Sequence, residues 1–280
     1  MKYRNQAYLT IRKQTMEFLF PMVFAWAMAG AVFSQTWTNL SPPTGDTYAV
    51  VCSADGSTII TTPGVCISTN AGASWTNTEV YGDGSSVACS ADGSRIYVGG
   101  LNAILISTNL GLSWVTNHSP SGFVSSIACS ADGSRVAVAD MGSNIFYSAD
   151  GGTTFTAETL PTPQIGCVAM SSDGSKLIAS ISQSDNGSPI YRSVDSGMTW
   201  TQTAPVDRWN ILASSADGTR LTAVDGYYIW TSTNSGLTWI SNRTSVPYPC
   251  FLASSVDGTR LAVAEIYGSS SPICISLDSG

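Results

Sequence analysis

Short runs of apolar and β-branched residues alternate along most of the chain with turns rich in Asp, Asn and Gly. One unit, residues 124–159, reads VSSIACSADGSRVAVADMGSNIFYSADGGTTFTAET. Its apolar runs have the length of strands, and the Asp-Gly pairs between them permit the positive φ of a tight hairpin. The pattern predicts four strands joined by a turn, a glycine loop and a second turn. After residue 34 no segment has helical periodicity.

Two motifs recur in step along the chain. We call the first, S-x-[DN]-x-G-x-[ST]-[WF], the box; its copies begin at Ser68, Ser107, Ser148, Ser193, Ser232 and Ser276. The second, Ser-x-Asp-Gly, is the Asp-Gly turn, with its acids at Asp55, Asp92, Asp132, Asp173, Asp217 and Asp257. Four short strands in a repeat of about 40 residues make one blade of a β-propeller. We therefore expect an all-β, six-bladed β-propeller of four-stranded blades.

The last box lacks its final residues, and the segment after residue 34 supplies them. Gln35, Thr36 and Trp37 match the missing x-[ST]-W, so a strand at Trp37–Leu40 is predicted to complete blade 6. Such an N-terminal strand closes the ring and removes exposed sheet edges. The alternative is an incomplete seven- or eight-bladed propeller.

The acidic or amide residue of the box is predicted to be structural. Asp and Asn side chains bond the amides of their own turn, and glycine adopts the backbone conformation that a side chain disfavours. An active site occurs once, whereas the box occurs six times and accepts Asn in three copies. The box residues concerned are Asn70, Asn109, Asp150, Asp195, Asn234 and Asp278.

These octets resemble the Asp-box (BNR) repeat of sialidases, xyloglucanases, sortilin-type receptors and photosystem II assembly propellers. The resemblance extends from Gln35 to the last residue. It implies a propeller whose boxes lie on the face away from the ligand. Because that family includes both hydrolases and binding modules, the resemblance implies no single activity.

The first 34 residues are predicted to be a signal peptide, with the propeller domain at residues 35–280. Lys2, Arg4, Arg12 and Lys13 precede an uncharged run at Phe18–Phe33, and small residues follow it. We expect export to a secreted, periplasmic or cell-surface location; an uncleaved membrane anchor is the alternative. With residues 1–34 removed, 18 of the 19 acids and 8 of the 12 bases remain. This negative charge disfavours nucleic acid and, after signal cleavage, the membrane as partners.

The seven cysteines are predicted to be mostly small buried thiols. Cys52, Cys89 and Cys129 occupy equivalent repeat positions, which are too far apart for easy pairing. Cys167 and Cys250 fall outside the pattern, so one disulfide bond remains an alternative.

The face opposite the repeated turns varies from blade to blade, and we expect the ligand there. Position eight past the repeated aspartate gives Asp140, Asp225 and Glu265, and the connections between blades add acids and aromatics. The candidate ligand face is Asp140, Asp225, Glu265, Asp207, Arg208, Trp209, Tyr81, Asp83 and Tyr248. Acids with aromatics suit a glycan or a protein partner.

We expect a non-catalytic binding module without cofactor or metal. His118 is the one histidine, which disfavours a multi-histidine metal site. The alternative is a glycoside hydrolase on the same scaffold. A sialidase needs an arginine triad, yet only Arg192, Arg208 and Arg243 lie outside the repeated basic position within residues 35–280. A xyloglucanase-like inverting enzyme needs two carboxylates roughly 6.5–9.5 Å apart, for which Asp140, Asp225 and Glu265 are the candidates.

Overall fold

Six antiparallel sheets follow one another along the chain and form a six-bladed β-propeller. The computed structural model describes residues 42, 47–78, 80, 86–117, 122–142, 144–161, 164–181, 188–203, 209, 211–243, 249, 251–264 and 273–278. The predicted all-β fold and blade count are confirmed. None of the described residues belongs to a helix with the length and apolar character that a membrane crossing requires.

Each blade is a meander whose strands pair in chain order. Blade 1 contains β1 (Ala49–Cys52), β2 (Ile59–Thr62), β3 (Cys66–Ser68) and β4 (Thr76–Asn77). Blade 2 contains β5 (Ser86–Cys89), β6 (Ile96–Gly100), β7 (Ala103–Ser107) and β8 (Val115–Asn117). Blade 3 contains β9 (Val124–Cys129), β10 (Val136–Asp140), β11 (Asn144–Ser148) and β12 (Thr156–Thr159).

The later blades repeat this order. Blade 4 contains β13 (Ile165–Met170), β14 (Leu177–Ile181), β15 (Ile190–Ser193) and β16 (Thr201–Gln202). Blade 5 contains β17 (Ile211–Ser214), β18 (Leu221–Val224), β19 (Tyr228–Ser232) and β20 (Ile240–Arg243). Blade 6 contains β21 (Phe251–Ser254), β22 (Leu261–Ala264) and β23 (Ile273–Ser276). The predicted fourth strand of blade 6, Trp37–Leu40, lies outside the described residues, so ring closure stays a prediction.

The core lies in the seams between neighbouring blades. Side chains alternate along each second strand, because successive residues of a strand point to opposite faces. In β10, Val136 and Val138 pack toward blade 2, whereas Ala137 and Ala139 pack toward blade 4. The small side chains of Ala137 and Ala139 let blades 3 and 4 approach closely.

Blades 1 and 6 each expose an apolar side chain at a repeat position that is buried between blades 4 and 5. Val50 is 39% exposed and Ile273 is 41% exposed. At the equivalent repeat positions of the blade 4–5 seam, Leu212 is 6% exposed and Ile190 is fully buried.

The described cysteines are all free thiols, namely Cys52, Cys66, Cys89, Cys129, Cys167 and Cys274. Burial raises the pKa of Cys129 to about 12 and also raises that of Cys52 and Cys167. These thiols therefore behave as small apolar side chains. Cys250 lies outside the described residues.

The Tyr97 hydroxyl provides a test of how blades 2 and 3 are joined. Tyr97 is fully buried and donates to the Gly133 carbonyl at 2.5 Å. Because Tyr97→Phe leaves that carbonyl without its donor, we expect a loss of about 1 kcal/mol in the free energy of unfolding, measured by urea denaturation. Tyr147→Phe is the control, since its hydroxyl lies 3.4 Å from Gly174 O in a half-buried place. A loss at Tyr147 equal to or larger than that at Tyr97 contradicts the assignment.

Candidate functional site

Each box closes the turn between the third and fourth strands of its blade. The serine hydroxyl donates to the Asp or Asn side chain at 2.7–3.0 Å in all six copies. In the second copy, the Gly111 amide donates to Ser107 Oγ and the Ser113 amide donates to Asn109 Oδ1, both at 2.9 Å. Glycine at this position has φ near 80°, which a side chain disfavours. Asn70, Asn109, Asp150, Asp195, Asn234 and Asp278 all accept the bond from their box serine.

The Asp-Gly turn lies beside the box turn of the same blade. In blade 3 the Gly151 amide donates to Ser134 O at 2.7 Å, and in blade 2 the Leu110 amide donates to Ser94 O at 3.0 Å. These bonds put both repeated turns on one face of the propeller, which we call the turn face. The opposite face, formed by the loops between second and third strands and by the connections between blades, is the loop face.

The repeated basic residue belongs to the turn face and joins neighbouring blades. Arg135 donates to the Asp173 carbonyl of blade 4 at 2.8 Å. Lys176 donates to the Asp217 carbonyl of blade 5 at 2.9 Å. These cations are therefore committed to backbone carbonyls. A cleft of about 10 Å³ beside Lys176 and Arg192 has room for about one water molecule.

Asp225, on the loop face, is a buried carboxylate with both oxygens in use. It is 2% exposed. Its Oδ1 accepts from the Tyr227 and Tyr228 amides at 2.7 Å, and its Oδ2 accepts from Trp230 Nε1 at 2.8 Å. The side chain therefore fixes the loop between β18 and β19 rather than facing solvent.

Asp140 occupies the same repeat position in blade 3 and is fully buried. Its Oδ1 accepts from the Gly142 amide at 2.8 Å and from the Asn144 amide at 3.4 Å. Its Oδ2 is buried without a hydrogen-bond partner. The two acids therefore share a position and a loop-fixing bond but differ at the second oxygen.

Trp209 is the remaining described member of the predicted ligand face. It is 3% exposed, and its indole donates to Ser188 O at 2.7 Å. Its ring meets Trp230 edge-on with centroids 5.8 Å apart. Trp209 and Asp225 thus contact the same tryptophan in the blade 4–5 seam, whereas Asp140 lies in blade 3. Six other members, Tyr81, Asp83, Asp207, Arg208, Tyr248 and Glu265, lie outside the described residues.

Exposed apolar side chains on the loop face were missed by the sequence analysis. Leu101 is 58% exposed, Met141 50% and Tyr227 45%. Leu101 forms a β-bridge with Phe123, and the Met141 amide donates to Phe123 O at 3.0 Å. We call Leu101, Phe123 and Met141 the blade 2–3 patch. The missed signal is that Leu101 and Met141 both stand nine residues past a repeated aspartate.

The comparisons with known proteins show the fold alone. No protein-family model and no curated protein matches the sequence. Among solved structures, an ancestral GH74 enzyme is 16% identical with a TM-score of 0.61, over 78% of this chain and 37% of that chain. The chain therefore spans well under half the length of that enzyme. The predicted Asp-box family membership stays a prediction.

Two further similar structures come from complexes, by their descriptions. YCF48 bound to D1 peptide is 17% identical with a TM-score of 0.60, over 84% of this chain and 81% of that chain. A chain of a nidogen/laminin complex is 16% identical with a TM-score of 0.59, over 81% of this chain and 88% of that chain. The same scaffold thus occurs both in an enzyme and in proteins found in complexes.

The lowered pKa values of the turn-face aspartates predict that the folded protein becomes less stable at low pH. The Ser130 hydroxyl first, and then the Ser134 amide and hydroxyl, lower the pKa of Asp132 to about 2. The same arrangement gives about 2 at Asp55, Asp173, Asp217 and Asp257, and the Thr154 hydroxyl leads the lowering to about 2 at Asp150. Since these values lie below the unfolded value of about 3.9, stability is fully present above about pH 4 and is lost as pH falls through about 2.

Thermal midpoints measured from pH 6 down to pH 2 check this expectation. The matched variant is Asp150→Asn with Asp195→Asn, because three other boxes already carry Asn. It should remain folded and lose less stability in acid than the wild type. A wild-type midpoint that is constant down to pH 2, or an equally steep decline in the variant, contradicts the account.

Proposed function

We propose that this protein is an exported, non-catalytic binding module whose loop face recognises a segment of a partner protein. The observation that carries the proposal is the contrast between the two faces. The turn face repeats one hydrogen-bonded design in every blade, whereas the loop face carries exposed side chains that differ from blade to blade. Loops held by a rigid scaffold are the usual place for recognition.

The chemistry of the exposed loop-face residues favours a protein over a glycan. Leu101 and Met141 are exposed and apolar, and exposed apolar surface that includes methionine is typical of protein interfaces. Tyr227 and Tyr228, 45% and 39% exposed, are large amphipathic anchors that suit either partner. The likeness to YCF48 bound to D1 peptide and to a nidogen/laminin complex supports the same class of function without naming a partner.

A glycoside hydrolase is the rival function, and the described acids weigh against it. Such an enzyme needs two carboxylates that reach a shared cleft. Asp225 is buried with both oxygens engaged, and Asp140 is buried in a different blade. The other acids of the candidate ligand face, Asp83, Asp207 and Glu265, lie outside the described residues.

Selection from a random peptide library tests the proposal directly, with a glycan array and a xyloglucan hydrolysis assay run in parallel. We expect peptides that bind the purified protein and bind at least tenfold more weakly to Leu101→Ser or Tyr227→Ser. Leu112→Ser is the matched control, since Leu112 is 85% exposed in a turn-face box and should not matter.

Three outcomes overturn the proposal. Peptides that depend on Leu112 and not on Leu101 would place recognition on the turn face. Glycan binding without peptide binding favours a lectin-like module. Release of reducing sugar from xyloglucan establishes the hydrolase.

A further inference from the structure

Asp140, a buried acid of blade 3, lacks the hydrogen-bond donor that its counterpart in blade 5, Asp225, has. Asp140 and Asp225 both stand eight residues past the repeated aspartate, at the end of the second strand. Trp230 satisfies Asp225 Oδ2 at 2.8 Å. Asp140 Oδ2 is buried and has no partner.

Strand register explains the difference. Trp230 lies opposite Ala223 in the β18–β19 pair, and Phe146 lies opposite Val138 in the β10–β11 pair. Ala223 and Val138 each stand six residues past the repeated aspartate, so Phe146 occupies the place of Trp230. Phe146 is 2% exposed and packs in the blade 2–3 seam, yet a phenyl ring has no N–H to donate.

A buried carboxylate oxygen that has no donor is unfavourable, which is why Asp140 Oδ2 suggests a ligand. The amide donors of the loop satisfy Oδ1 alone, so Oδ2 has lost its contact with water without a hydrogen bond in exchange. Folding has already removed water from Oδ2, so a cation that reaches it forms a charge-assisted hydrogen bond without desolvating the carboxylate again.

The residues that neighbour Asp140 through sheet pairing and along the chain suit a cation on an aliphatic stem. Asp140 pairs with Val124 in the sheet, and Val124 follows Phe123 of the blade 2–3 patch. Leu101 bridges to Phe123 from the neighbouring blade, and Met141 follows Asp140 in the chain. Long cationic side chains place their methylene groups along such apolar surface while the charged end takes a polar partner.

We propose that Asp140 is the anionic half of a binding site for a primary ammonium group carried on an aliphatic stem, the chemistry of a lysine side chain. The blade 2–3 patch contacts the stem, and Asp140 Oδ2 accepts from the ammonium. This inference rests on the proposed function, because it names the residue type of the partner that blade 3 recognises.

The test uses ¹H–¹⁵N spectra of the purified protein titrated with n-butylammonium chloride. We expect saturable shifts at the Gly142 and Phe123 amides, with a dissociation constant in the roughly millimolar range. 1-Pentanol, which has a similar stem and no charge, is the ligand control and should shift these amides much less.

Three variants separate recognition from folding. Asp140→Asn removes the charge, and Phe146→Trp supplies the donor that blade 5 already has; each should weaken binding at least tenfold. Asp195→Asn is the matched control, because it removes one charge at a turn-face box where Asn occurs naturally, and it should bind as the wild type does. If Asp140→Asn fails to fold, Phe146→Trp decides.

The outcomes distinguish this inference from the proposed function. Equal shifts with 1-pentanol, no saturation, or unchanged binding in Phe146→Trp overturns the ammonium site. If library peptides still depend on Leu101, the binding module stands without that site. If neither peptides nor butylammonium bind, both proposals fail.

Discussion

A series of backbone hydrogen bonds links the Asp-Gly turns of successive blades, and the rest of the structure depends on it. In blades 1 to 5 the amide of the residue before the aspartate donates to the carbonyl at the same position in the next blade, from Ala54 to Ala91 and onward to Val256, at 2.7–2.8 Å. Every turn must present its amide and its carbonyl in one geometry for this series to continue. That requirement explains why the motif is repeated almost without change.

The side chains of the turn face serve the same requirement. Asp132, for example, accepts from the Ser134 amide of its own turn, and Arg135 and Lys176 reach the turns of the next blades. The Tyr97 hydroxyl adds a buried link from blade 2 to blade 3. With the geometry fixed on this side, the loops on the other side are free to differ, which is the arrangement expected when recognition is carried by loops.

The sequence predicts the blades because their turns are local. A Ser, an Asp or Asn and a Gly at fixed spacing close a turn through bonds to their own neighbours, so periodicity and spacing suffice. The exposure of Val50 in blade 1 and of Ile273 in blade 6 does not follow from these local turns, because the equivalent positions are buried between blades 4 and 5.

The candidate site is harder to predict from the sequence, because its properties depend on which residues face each other across neighbouring strands and loops. Asp140 and Asp225 are alike in sequence position, but only the register against Phe146 or Trp230 decides whether the second oxygen is satisfied. The exposure of Leu101 and Met141 depends on how the loops of two blades meet at Phe123. Neither fact follows from periodicity.

The central claim is that the turn face is one continuous hydrogen-bonded element. Hydrogen–deuterium exchange at the Ala91, Ala131, Ser172 and Ala216 amides tests it most directly. The account predicts exchange about 100-fold or more slower than at the Ala73, Leu112 and Leu237 amides, whose bonds at the box tips are 3.2–3.3 Å long. Equal rates in the two sets would mean that the blades are not held together through their Asp-Gly turns.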